Sequence, residues 1–205
     1  MNIFKRIKKY FKKADWGDIT LEKFYKIQDV LASVDEYTEN NIKEIVYGID
    51  TSDMVITELG KYDISFLEKE LPLKNVKLKD TYVLNGREYD SNINLTMIRT
   101  NQFIDFTTYT REKDIRYEKL LSVFIVPKGR KYNDGYNMKE VQEDILQMPI
   151  AVVQSLAFFM MEQFRAFAVI FQRYLETEMK TMPKELQKIT NQASKTIKDL
   201  VSFQF

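Results

Sequence analysis

The chain has 205 residues, 44% apolar and 30% charged, with six glycines and four prolines, a balance that supports one domain with a real core and disfavours a turn-rich all-β sandwich. It contains no cysteine and no histidine, which excludes a disulfide framework, a Cys or Cys/His zinc site, a thiol nucleophile and a His-based triad. The formal charge of +1 hides an asymmetry: residues 1–13 hold six Lys/Arg and no acid, and taking those six from 31 leaves 25 basic against 30 acidic residues elsewhere.

The first segment, "MNIFKRIKKYFKK", reads as a basic amphipathic arm over residues 1–15. Ile3, Phe4, Ile7 and Phe11 share one helical face, as the i, i+1, i+4, i+8 spacing requires. Lys5, Arg6, Lys8, Lys9, Lys12 and Lys13 form its candidate site for an anionic membrane or nucleic acid, two ligands that such a helix suits equally. The alternative is a solvated terminal helix docked by its four apolar side chains. No uninterrupted apolar run follows the charges, so the pattern is not that of a secretory signal.

Residues 16–148 read as a helical domain. Thr20 is placed to cap a helix whose inner side is Leu21, Phe24, Ile27, Gln28 and Leu31. A second helix is expected over Asn41–Gly48, with Ile42, Ile45 and Val46 inward, then short helices in "SDMVITEL" and "SFLEKEL". In the last of these Ser65 and Glu68 form a capping-box pattern.

The period then changes. Around residues 76–95, Asn85-Gly86 sits between alternating residues, which is the signal of a type I′ β-hairpin. A two-residue loop opposes Tyr82 to Tyr89, Asp80 to Ser91, Leu78 to Ile93 and Val76 to Leu95. An isolated hairpin is marginal in water, so its apolar face must lie on the helices. Further helices are expected in "MIRTNQFIDFTTYT", capped by Thr96, in "YEKLLSVFIV", stopping at Pro127, and in "MKEVQEDILQM", opened by Asn137 and Glu140.

The third region, residues 149–205, begins with the most apolar stretch, "PIAVVQSLAFFMMEQFRAFAVIFQRYL". Gln154, Glu162, Gln163, Arg165 and Gln172 interrupt it, which argues against a membrane span. Ile150, Val153, Ala157, Met160, Phe164, Phe167, Phe171 and Tyr174 step by alternating threes and fours, the spacing of a coiled-coil seam. The first reading of this run is a central core helix and the second a protein interface, for which these eight are the candidate residues; a buried first half and a shared second half satisfies both. Val152, Leu156, Phe159 and Ile170 add a second apolar side. A last helix follows, striped by Leu186, Ile189, Ala193, Ile197 and Leu200. The fold class is therefore mainly α: a helical domain with one small β-hairpin packed on helices and a long apolar C-terminal helix.

Chemistry is hard to place on this chain. It has no G-x-x-x-x-G-K-[ST] or G-x-G-x-x-G loop to cradle a phosphate. Aligning Gly135 with the glycine of a calcium loop puts Arg130, Tyr132 and Val141 at ligand positions, so that motif fails. The pairs Asp35-Glu36 and Glu143-Asp144 have ordinary helix-surface spacing. Lys128, Arg130, Lys131, Tyr132 and Tyr136 combine charge and rings in one loop, which reads either as a single-strand contact or as a solvated loop with its tyrosines leaning on the body. The expectation is a protein without catalytic, metal or cofactor sites and without a small-molecule substrate.

Four blocks, "DITLEKFYKIQDVL", "LKDTYVLNGREYD", "NQFIDFTTY" and "YEKLLSVFIVPKGRKYNDGY", span residues 18–136. Their order resembles small tail-morphogenesis proteins of tailed bacteriophages, in particular tail assembly chaperone-like proteins of phages of gut Bacteroides-type bacteria. The resemblance implies a non-enzymatic role in the host cytoplasm or the virion, binding a tape-measure-like tail protein and forming homo-oligomers. The region from Met138 on is longer and more apolar than that family leads one to expect, which leaves a permanent neck or tail structural protein open. The alternative to both is a peripheral membrane or nucleic-acid binder acting through the basic arm.

Overall fold

A computed structural model describes residues 12–33, 38–71, 79–91 and 98–178. Its elements are mainly helical, with a small antiparallel sheet. The core forms where two helix starts lie back to back. Helix α1 (Leu21–Ser33) and the long helix that begins at Ile150 are each preceded by an extended residue, and these segments bond to one another. Leu21 N donates to Met148 O at 2.9 Å and Ile150 N donates to Ile19 O at 2.8 Å. First-turn amides that a helix leaves unpaired are thereby satisfied inside the body.

Thr20 Oγ1 accepts from Lys23 N at 3.3 Å and caps α1. Leu21 and Ile27 are buried, but Gln28 and Leu31 face outward. Val30, not Leu31, continues the packed stripe, because steps of three rotate it away from the expected line. Helix α2 (Thr38–Tyr47) buries Ile42 and Val46 and stops at Gly48, whose φ of +65° a residue with a Cβ rarely adopts.

The expected helix in "SDMVITEL" is one turn, α3 (Ile56–Leu59), and "SFLEKEL" supplies only a 3₁₀ turn, Ser65–Glu68. The expected Ser65–Glu68 box is replaced by Asp63, whose Oδ1 accepts from Ser65 N at 2.9 Å. That bonding to Ser65 holds the Asp63 carboxyl below the usual range. Two short strands, β1 (Lys12–Lys13) and β2 (Tyr62–Asp63), pair in parallel. The Tyr47 hydroxyl, 2.9 Å from Lys12 O and 2.6 Å from Asp63 O, pins them together.

The hairpin consists of β3 (Thr81–Leu84) and β4 (Arg87–Ser91), with Tyr82 opposite Tyr89. Asn85 and Gly86 take φ values of 48° and 75°, as a type I′ turn demands. The expected Leu78–Ile93 and Val76–Leu95 pairs fall outside the described residues. A third strand, β5 (Ile125–Pro127), adds antiparallel to β4. This corrects the expectation of one helix running to Pro127. Helix α5 covers only Tyr117–Ser122; proline disfavours the α conformation in the residue before it, and the β-branched pair Ile125-Val126 suits a strand beside β4.

Helix α4 (Thr100–Tyr109) starts after Arg99, whose backbone N–H donates to Gln102 Oε1 at 3.0 Å. The expected start at Thr96 is thus later, and Thr96 lies outside the described residues. Helix α6 (Met138–Ile145) opens with Asn137 accepting from Lys139 N at 3.1 Å. Helix α7 (Ile150–Glu178) is the longest element. Its inner stripe joins the aromatic core, where the Phe106 ring centre lies 5.4 Å from that of Phe124 and 4.2 Å from that of Phe164. The expectation of a long apolar C-terminal helix needs correction: the helix is long, but its outer side carries exposed Glu162, Gln163 and Arg173 beside Phe158, Phe159 and Ile170. No helix among the described residues is long and apolar enough to cross a membrane.

Candidate functional site

Five of the eight expected interface residues lie inside the chain's own body. Ile150, Val153, Ala157, Met160 and Phe164 are all 4% exposed or less, so in this fold they are core. Phe167, Phe171 and Tyr174 continue the seam along the α7 backbone, and their side chains are outside the described set.

The opposite side of α7 differs. Phe158 is 63% exposed, Phe159 38% and Ile170 66%. At 3.6 residues per turn these three share, with Glu162, Ala166, Val169 and Arg173, a sector of about 120° facing away from the core. Glu162 and Arg165 form an i,i+3 ion pair of 2.7 Å at its edge. Apolar side chains presented to water along one helical stripe are the form of a helix-docking surface. The sequence carried a partial signal for it, since Phe159 and Ile170 were on the second apolar side; Phe158 was missed because it lies off both stripes.

A second constellation is polar and was not foreseen. Asp144, read as a surface carboxylate, is 2% exposed and ties α6 to the hairpin. It accepts from Asn85 Nδ2 at 2.8 Å and from the Tyr89 hydroxyl, and Arg87 Nη1 lies 3.5 Å away. Arg87 also meets Glu140 at 2.8 Å. Burial, reinforced by the Asp144 carboxylate, pushes the Tyr89 hydroxyl up to about 12. A carboxylate so supplied with donors is a structural latch. It makes Asn85 do two jobs, adopting positive φ and donating across the element boundary.

The same economy recurs at α5. Glu118 is buried, accepts from the Tyr25 hydroxyl at 2.9 Å and pairs with Arg116 at 2.9 Å, while the guanidinium lies over the Tyr25 ring. Burial, then the charge of Glu118, pushes the Tyr25 hydroxyl well above the usual tyrosine range.

The basic residues of the arm are divided. Lys5, Arg6, Lys8 and Lys9 fall outside the described residues. Lys12 and Lys13 are exposed on β1, the first over the Tyr62 ring and the second 3.7 Å from Asp63. Beside them an open cleft of about 420 Å³ is lined by Lys13, Trp16, Asp63, Phe66, Lys69 and Glu70. The Trp16 indole already donates to Lys69 O at 3.1 Å.

In the basic-aromatic loop, Tyr132 is buried with its hydroxyl donating to Asp105 at 2.6 Å, and Tyr136 is half-buried. Lys128 pairs with Glu88 at 2.7 Å. The rings that would stack on bases lean on the body. Among the described residues no cluster of three or more acidic side chains is placed to hold a metal ion.

Comparison of the chain with protein-family models, curated proteins and solved structures returned no match.

Proposed function

We propose that this chain is a non-enzymatic protein-binding assembly protein, a phage tail or neck morphogenesis factor that acts as an assembly chaperone or as a structural component of the particle. The observation that carries the binding role is the outer face of α7, where Phe158 and Ile170 are each more than 60% exposed on a helix anchored in the core by its other side. A rigid helix with an open apolar stripe fits recognition of another helix, as in coiled-coil cargo. The phage setting rests on the resemblance of the ordered blocks over residues 18–136, and with it the host cytoplasm or virion as the site of action.

The test is a pull-down with the tagged full-length chain at physiological and high salt, with wild type beside the Phe158→Glu, Ile170→Glu double variant. Retention of a long coiled-coil tail protein at high salt, lost in the double variant, supports the reading. Retention of lipid or nucleic acid alone, released by salt, overturns it in favour of the basic arm.

A further inference from the structure

We infer that the outer face of α7 pairs with the same face of a second copy of this chain, as an antiparallel helix pair crossing near position 164. The inference rests on that face being the binding surface, and it names the partner the face fits.

The argument is the self-complementarity that a two-fold interface requires. The exposed apolar residues lie at both ends of the stripe, Phe158 and Phe159 at one and Ile170 at the other, with Glu162 and Ala166 between them. An antiparallel crossing centred on position 164, oblique enough to lay the 158-162-166-170 ridges of the two copies along one another, sets Phe158 against the partner's Ile170. That contact is made twice. At the centre the small Ala166 meets the stem of the partner's Glu162, which permits the close approach of packed helices. Glu162 then comes within reach of the partner's Arg165, so the ion pair now formed within one helix can be exchanged across the two-fold.

A parallel pairing of the same faces fails on charge. It stacks Glu162 on Glu162 and Arg173 on Arg173, and like charges directly opposed are destabilising. The apolar area is small. Three partly exposed side chains per copy amount to roughly 600 Å² over both copies, below the standard size of a stable interface. The pair is therefore weak and reversible, which suits a face that must later accept another helix.

The absence of native cysteine makes the test clean. Sedimentation velocity of the full-length chain over increasing concentration should show a monomer–dimer equilibrium. Phe158→Glu and Ile170→Lys should each weaken it about tenfold, with unchanged circular dichroism. The double variant Phe158→Glu, Ile170→Lys should recover most of that loss, because the new charges oppose one another in this register. An Ala166→Cys variant mixed with a Glu162→Cys variant should cross-link readily under mild oxidation, because those two positions oppose one another in this register. Thr177→Cys should not, since antiparallel helices carry the two copies of position 177 about 40 Å apart. A monomer at all concentrations, a dimer indifferent to both single substitutions, or equal cross-linking of that mixture and of Thr177→Cys overturns the pairing. If the pull-down still retains a tail protein in that event, the proposed function stands without this dimer; if the dimer forms and no protein is retained, the function falls and the pairing stands.

Discussion

The two sides of α7 have similar chemistry and opposite fates. Its inner stripe, from Ile150 to Phe164, is enclosed by α1, α4 and α5 and carries the core, whereas its outer stripe offers Phe158 and Ile170 to water. Both stripes contain phenylalanine and β-branched residues at helical spacing. The difference lies in what the rest of the chain brings to each. An apolar seam in a sequence thus states that something will cover it, and leaves open whether the cover belongs to the same molecule.

That contrast can be broken most forcefully from the inside. Leu156→Ala, at 0% exposure, should cost about 3 kcal/mol of unfolding free energy through lost burial and a residual cavity, measurable by urea denaturation. Phe158→Ala, two residues along on the outer side, should change stability by less than about 0.5 kcal/mol while weakening self-association. If the two gave equal losses, the outer face would be covered within the monomer.

The hairpin offers a polar counterpart to the core stripe. Asp144→Ala should cost about 2 kcal/mol, because it strands the buried Tyr89 hydroxyl without an acceptor and cuts the Asn85 tie between α6 and the hairpin. Gly86→Ala should cost about 1 kcal/mol. The position is open to a Cβ but sits at a φ of +75°, which alanine adopts with strain.

The smallest effect concerns alkaline pH. Tyr89 titrates higher in the folded protein, at about 12, than a free tyrosine, at about 10. The folded state therefore keeps its proton longer, and the associated stability is present below pH ~10 and lost as pH rises towards ~12. The thermal midpoint of wild type should fall more steeply over that window than that of Tyr89→Phe, which is less stable at neutral pH but lacks the titrating group.

Local signals were legible where the chemistry is local. The type I′ turn at Asn85-Gly86 and the Tyr82–Tyr89 register follow from two residues whose backbone preferences admit few alternatives. The Asn137 and Thr20 caps are of the same kind. The misses have a common cause. Ile125-Val126 became a strand because β4 lay beside it, and Asp144 went inside because Asn85 and Tyr89 were there to receive it. Neither partner is within 30 positions in the chain, so no window read along the sequence contains both members.

The candidate site divides in the same way. The eight-residue seam was visible as a period, but the period cannot say which face the body covers. The first half of the seam, Ile150 to Phe164, lies in the core, as the core-helix reading of that run has it, and the exposed face is the one carrying Phe158 and Ile170.

By itself the sequence determined the mainly helical class, the hairpin turn, the absence of thiol and imidazole chemistry and the apolar character of the long helix's seam, because each is a property of composition or of neighbours a few positions apart. Only the tertiary structure decided the third strand, the burial of Asp144 and Glu118, and which side of α7 faces water. Those depend on pairings between distant segments, and a buried charge or an open apolar face is defined by its surroundings rather than by its own side chain.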